Sequence, residues 1–144
     1  MRILIEVPEK DEEDTVIIKY QSVPTELLDL LRNFKRSTGL LVGYKNKETH
    51  KVSASEIFYI DSVDNKTFMY CTNEVYEAKE KLYEIEELEL NEFLRISKST
   101  ILNLKKIDHL KPALSGRLEA TLTNGEKVLI SRSYVKTLKT AFGV

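Results

Sequence analysis

The side chains able to do chemistry in this chain are mainly its cations, and they are gathered towards one end. From residue 95 to residue 144 there are ten Lys and Arg and only three acids, Asp108, Glu119 and Glu126, a balance of +7. Residues 1–94 carry 12 Lys and Arg against 20 Asp and Glu, a balance of −8, so the net charge of −1 conceals an electrically divided molecule. Clustered Lys and Arg displace counterions from a phosphate backbone, which makes a polyanion the partner such a third would face. A solvated surface of mixed charge accounts for the counts equally well.

Other chemistries lack their parts. Two histidines, His50 and His109, and one cysteine, Cys71, fall short of the ligand number and spacing of a structural zinc site. There is no Gly-rich phosphate loop, no nucleophile elbow and no recognisable Ser/His/Asp spacing. Paired carboxylates such as Glu86 and Glu87 lie on an acidic helical face that water would solvate. No catalytic residue, metal, cofactor or small-molecule substrate is therefore expected, and the chain does not read as an enzyme. Cys71 cannot form an internal disulfide and reads as a small buried apolar residue, in keeping with a reducing compartment.

The elements that must position the cations belong to a chain of one domain's length, 144 residues with 42% hydrophobic and 31% charged residues. No apolar run approaches the roughly 18 residues a membrane span needs, and Met1 to Ile5 lead into acids instead of a signal-peptide core, so a cytoplasmic protein is expected. Alternation over residues 2–7 and the β-branched run at 15–20, with an acidic turn between them, predict two strands. Pro24 then opens an amphipathic helix with Leu27, Leu28, Leu31 and Phe34 on one face, closing at Gly39. From Leu40 onwards short strands follow: 40–44, 51–52, 57–63 and 67–71, with a polar turn at Asp64-Asn65-Lys66. A helix is predicted over 77–90, with Ala78, Leu82, Ile85 and Leu88 on its inner face. Strands resume at 93–96, 101–104, 107–110, 116–122 and 127–130, with an Asn124-Gly125 hairpin turn. A final helix is capped by Ser131 or Ser133, carries Val135, Leu138 and Phe142 inward, and ends at Gly143.

The stretch Phe93-Leu94-Arg95-Ile96-Ser97-Lys98-Ser99-Thr100-Ile101-Leu102-Asn103 resembles the most recognisable segment of the LytTR family: an aromatic strand, a polar loop ending in Ser, an apolar pair and Asn. The run from Leu122 to Lys136 is similar to that family's closing hairpin and helix, and Ser55 to Ser62 to its first strand. Together these matches span about residues 40–142. The resemblance implies an α+β, mostly β domain of small antiparallel sheets with short helices over 39–144, here preceded by a β-β-α segment over 1–38. It also implies a bacterial transcription regulator that binds double-stranded DNA sequence-specifically, reading promoter sites in the major groove through loops.

Three loops are then expected on DNA: Asn65-Lys66, Ser97-Lys98-Ser99 and Arg132-Ser133. Arg132 would read guanine through its bidentate fork, Lys66 and Lys98 would act as point charges, and Arg95 and Lys136 would meet phosphate. Asn103 reads first as a turn fastener. Many family members have His, Asn or Arg where Lys98 stands, and Arg-Arg where Arg132-Ser133 stands, so base preference does not transfer.

The 38 opening residues are too few for a receiver domain. In this the chain resembles stand-alone members often encoded beside a small membrane inhibitor protein. The N-terminal helix would serve such a partner or a homodimer, or would pack on its own domain. The competing reading is a protein-interaction module for a membrane or signalling partner, without direct DNA readout.

Overall fold

Thirteen elements follow one another among the described residues: α1 (Thr25–Thr38), β1 (Leu40–Lys45), β2 (Glu48–Ser53), β3 (Ile57–Val63), β4 (Lys66–Cys71), β5 (Val75–Ala78), α2 (Leu82–Glu87), β6 (Phe93–Arg95), β7 (Thr100–Asn103), β8 (Ile107–Pro112), β9 (Leu118–Leu122), β10 (Lys127–Ile130) and α3 (Arg132–Phe142). The computed structural model describes residues 2, 4–13, 15–38 and 40–143, and their side chains except at 32–38 and 40. Strands β1–β7 form one sheet in the order β2-β1-β5-β4-β3-β7-β6, and β8–β10 form a second in the order β10-β9-β8. Every pairing is antiparallel. The mostly β, antiparallel architecture expected from the sequence is the one observed.

Side-chain alternation along the central strands explains the layering. Ile57 and Ile101 go to one core with Met69, Leu82 and Ile85, while their neighbours Phe58 and Leu102 go to another with Leu118, Ala120, Leu122, Ile130 and Leu138. The middle of the large sheet is therefore buried on both faces, α2 closing one side and the small sheet with α3 the other. Each large aliphatic side chain so buried contributes roughly 1.5–3 kcal/mol. Cys71 packs at the margin of the first core, where burial pushes its thiol up to about 11.

Two expectations are corrected. The strands expected over 2–7 and 15–20 do not form among the described residues, Ile3 and Asp14 lying outside them; the first regular element is α1. Leu4, Ile5, Val7, Val16 and Ile17 are between 67% and 92% exposed, so their alternation finds no face to bury against, and a lone hairpin is marginal in water. The acidic turn between them does form, the Glu12 N–H donating to the Glu9 carbonyl at 3.0 Å. The second correction is the helix over 77–90, of which only α2 is helical. Residues 75–78 are claimed as strand by β4, with Thr67 opposite Ala78 and Met69 opposite Tyr76. Ala78 and Leu82 both reach the first core, but from different elements.

Candidate nucleic-acid interface

Sheet topology brings the three loops singled out in the sequence to one end of the large sheet. β3 and β4 are joined by Asp64 and Asn65 at φ 51° and 61°, a two-residue turn of the kind whose twist suits a hairpin, and Lys66 opens β4 opposite Val63. β7 runs antiparallel beside β3 with Thr100 opposite Asp61, so the 97–99 loop stands next to that turn. The Ser62 N–H donates to the Ser99 carbonyl at 2.8 Å, and Thr100 Oγ1 donates to Asp61 Oδ1 at 2.9 Å. On the other flank, the Ser131 N–H donates to the Ile96 carbonyl at 2.8 Å, which ties the start of α3 to the start of the same loop.

The 97–99 loop is held from within as well. Arg95 Nε donates to the Ser97 carbonyl at 2.8 Å and Nη2 to the Lys98 carbonyl at 2.6 Å, while Nη1 meets the Glu86 carboxylate. The Ser99 N–H donates to Ser97 Oγ at 3.2 Å. At α3, Ser131 occupies the N-cap position without a side-chain cap bond, and Arg132 and Ser133 are exposed in the first turn. The stem of Arg132 lies over Gly116, where a Cβ would come within 3.0 Å of Arg132 Cδ. Gly116, at φ 74°, provides both the room and the backbone conformation.

Ion pairing sorts the cations. Lys105 pairs with Glu92 at 2.5 Å, Lys111 with Glu119 at 3.4 Å, and Lys45 with Glu74. Lys106 covers the Phe58 ring at 5.0 Å, and Arg117 Nε donates to the Leu114 carbonyl at 3.1 Å. Among the described residues, no hydrogen bond or ion pair occupies the side chains of Lys66, Lys98, Arg132 or Lys136. All four are exposed. Unpaired ammonium and guanidinium groups beside half-buried Ser97 and exposed Ser99 and Ser133 can donate to phosphate oxygens or base edges without first breaking an internal contact.

The structure thus brings Asn65, Lys66, Ser97, Lys98, Ser99, Arg132 and Ser133 together, with Lys136 one turn along α3. Arg95 stands apart from that set, because its guanidinium already serves two loop carbonyls and a carboxylate. Asn103 is 1% exposed; its amide donates to the Ile57 carbonyl at 2.8 Å and its Oδ1 accepts from the Lys105 N–H at 3.1 Å. That is the turn-fastening role expected of it. Sequence reasoning missed Asp61, Lys81 and Glu86, whose contacts hold the loops. Lys81 Nζ donates to the Asn65 carbonyl at 2.9 Å. No local signal separates these three from ordinary surface charges, since their partners are distant in sequence.

A second fastening joins the two sheets. Tyr59 on β3 donates its hydroxyl to Glu126 Oε2 at 2.9 Å and stacks on Tyr70, ring centroids 4.6 Å apart. Burial, with the Glu126 bond and charge added to it, pushes the Tyr59 phenol well above its ordinary value. No group of His, Cys, Asp and Glu able to hold a metal occurs among the described residues. No helix among them is long and apolar enough to cross a membrane.

The class so defined is a mostly β, antiparallel domain with unpaired, exposed cations gathered on two loops and a helix start. Residues 47–143 match the LytTr DNA-binding domain family, and the chain belongs to that family. It is 31% identical over 99 residues to an uncharacterised HTH-type transcriptional regulator of Staphylococcus aureus, covering 69% of this chain and 67% of that one. It is 33% identical over 94 residues to the sensory transduction protein LytT of Enterococcus faecalis, covering 65% of this chain but 39% of that protein. A solved LytTr DNA-binding domain from Bacillus cereus shares the fold at a TM-score of 0.70 and 24% identity, covering 74% of this chain and 98% of that domain.

Proposed function

We propose that this chain is a sequence-specific DNA-binding transcription regulator without enzymatic activity, acting in the cytoplasm through the three loops at one end of the large sheet. The observation that carries this reading is the clustering at that end of four exposed cations, Lys66, Lys98, Arg132 and Lys136, whose side chains meet no carboxylate among the described residues, whereas Lys45, Lys105 and Lys111 are paired and the unpaired Lys47 and Lys139 lie apart from the cluster. Asn65, Ser97, Ser99 and Ser133 add neutral donors and acceptors to the same surface. Arg132, at the start of α3, enters the major groove and reads guanine; Lys136 meets phosphate.

Two protomers would occupy paired sites, as dimeric regulators of other folds do. The exposed side chains of Leu4, Ile5, Val7, Val16, Ile17, Leu28 and Leu30 support a regulatory surface in residues 1–38, covered by a second copy or by a small membrane inhibitor protein.

Salt titration tests the DNA reading. On a duplex that the chain enriches from a random-sequence pool, log affinity should fall with log salt by roughly 0.9 for each phosphate neutralised, about three to four units in slope if Lys66, Lys98, Arg132 and Lys136 each meet one. Enrichment of no sequence, with binding indifferent to salt, would sink the proposal in favour of a protein-interaction module.

A further inference from the structure

The acidic helix α2 lies between the DNA-facing loops without contributing a cation of its own, and both of its ends are attached to them. Before its first turn, Lys81 Nζ donates to the carbonyl of Asn65 in the β3–β4 turn at 2.9 Å. In its second turn, Glu86 holds Nη1 of Arg95, whose Nε and Nη2 grip the carbonyls of Ser97 and Lys98. The helix itself cannot slide. Leu82 and Ile85 are 5% and 2% exposed in the first core, and its start is closed by the Lys81 N–H donating to Glu84 Oε1 at 3.1 Å.

We infer that α2 is a strut that sets the two loops 64–66 and 97–99 relative to each other, and that Arg95 and Glu86 are positioning residues for DNA readout. This rests on the DNA reading above and deepens it. A guanidinium is planar with donors in a fixed fork, so two carbonyls bound to Nε and Nη2 fix two successive peptide planes of the 97–99 loop. With those carbonyls turned inward, the exposed side chain of Lys98 is presented from a backbone that does not have to be ordered on binding. Glu86 keeps the fork in place. A carboxylate near a polyanion surface otherwise only repels phosphate, so its two roles, orienting Arg95 and repelling DNA, predict opposite outcomes when its charge is removed.

Arg95 and Glu86 also line an open cleft of about 280 Å³ between α2 and α3, so a charge left alone by substitution is solvated instead of trapped. The variants Arg95→Lys, Arg95→Ala and Glu86→Gln should accordingly remain folded, which thermal unfolding monitors. Each is titrated with two duplexes of equal length: one enriched by the wild-type chain from a random pool, and one scrambled.

Arg95→Lys keeps the charge but not the fork. It should lose about tenfold on the enriched duplex, as a coupling of this kind predicts, with the scrambled duplex and the salt slope unchanged. Glu86→Gln should lose affinity for the enriched duplex while holding or gaining it on the scrambled one. The double variant should be no worse than Arg95→Lys alone.

The inference falls if Arg95→Lys binds as wild type while Arg95→Ala loses equally on both duplexes with a slope shallower by about 1, which marks a phosphate contact. It falls too if Glu86→Gln tightens both duplexes alike. Should the wild-type chain enrich no sequence, the DNA reading itself has failed and the strut with it, an outcome distinct from wild-type enrichment with insensitive variants.

Discussion

The loop at 97–99 and the start of α3 are neighbours, joined by the bond from the Ser131 N–H to the Ile96 carbonyl, yet they are built in opposite ways. In the loop, side chains from elsewhere hold the backbone: Arg95 on two carbonyls, and Thr100 fastened to Asp61. At the helix start the backbone holds itself through regular helical bonds, and the charged or polar ends of Arg132, Ser133 and Lys136 make no hydrogen bond or ion pair among the described residues, although the Arg132 stem lies over Gly116. The difference teaches that position and charge are supplied by separate residues. Groups that fix the surface are satisfied internally, and groups that would meet a ligand are not.

The sharpest way to break that comparison is to loosen the helix rather than the loop. Leu138 is fully buried in the second core and anchors α3, the helix that Arg132 begins. Leu138→Ala should cost about 2–5 kcal/mol in urea unfolding. Among molecules still folded, discrimination assigned to Arg132 should weaken while the loop's contribution stays. A cost below about 1 kcal/mol would show that α3 takes its place from its own helical geometry and not from the core.

A smaller effect separates two of the cations of α3, Arg132 and Lys136. Arg132→Ala should remove about 1–3 kcal/mol of discrimination between the enriched duplex and its single-base variants. Lys136→Ala should weaken all sequences alike and make the salt slope shallower by about 1. If the two substitutions have the same profile, Arg132 is a phosphate contact and the helix start reads no base.

The smallest expected effect concerns the platform under both. The folded state favours the neutral Tyr59 phenol, through burial first and the bond to Glu126 second, whereas an unfolded tyrosine ionises near 10. The Tyr59 contribution to stability is therefore complete below about pH 10 and is lost as pH rises beyond that value. Tyr59→Phe should flatten the alkaline fall in stability. An unchanged pH profile would mean that Tyr59 is not held in solution as a buried phenol bonded to Glu126.

Much of the fold was legible because it is local. The strands Ile57–Val63 and Leu118–Leu122, the Asn124-Gly125 turn and the inward Val135 and Leu138 of α3 each read correctly from a few consecutive residues, whereas Phe142, expected inward, is 41% exposed because the second core does not reach the last turn of α3. The failures share one cause. Glu77 and Ala78 carry enough helical pattern to extend α2 backwards, and only the pairing of β5 with β4 makes them strand. Residues 4–7 and 15–20 carry strand pattern, and only the lack of a surface to bury it leaves them without a strand.

The same division runs through the site. Amino-acid types and order alone determined that the cations would cluster after residue 94 and that Asn65-Lys66, Ser97-Lys98-Ser99 and Arg132-Ser133 would be polar interruptions between apolar strands. Tertiary structure decided which cations are free. Lys105 and Lys111 carry the same charge as Lys98 and Lys136, but each lies within reach of a carboxylate distant in sequence. Arg95, indistinguishable by type from Arg132, was turned inward by Glu86 and two carbonyls, because hydrogen-bond geometry depends on where the chain brings its partners and not on the order in which they were joined.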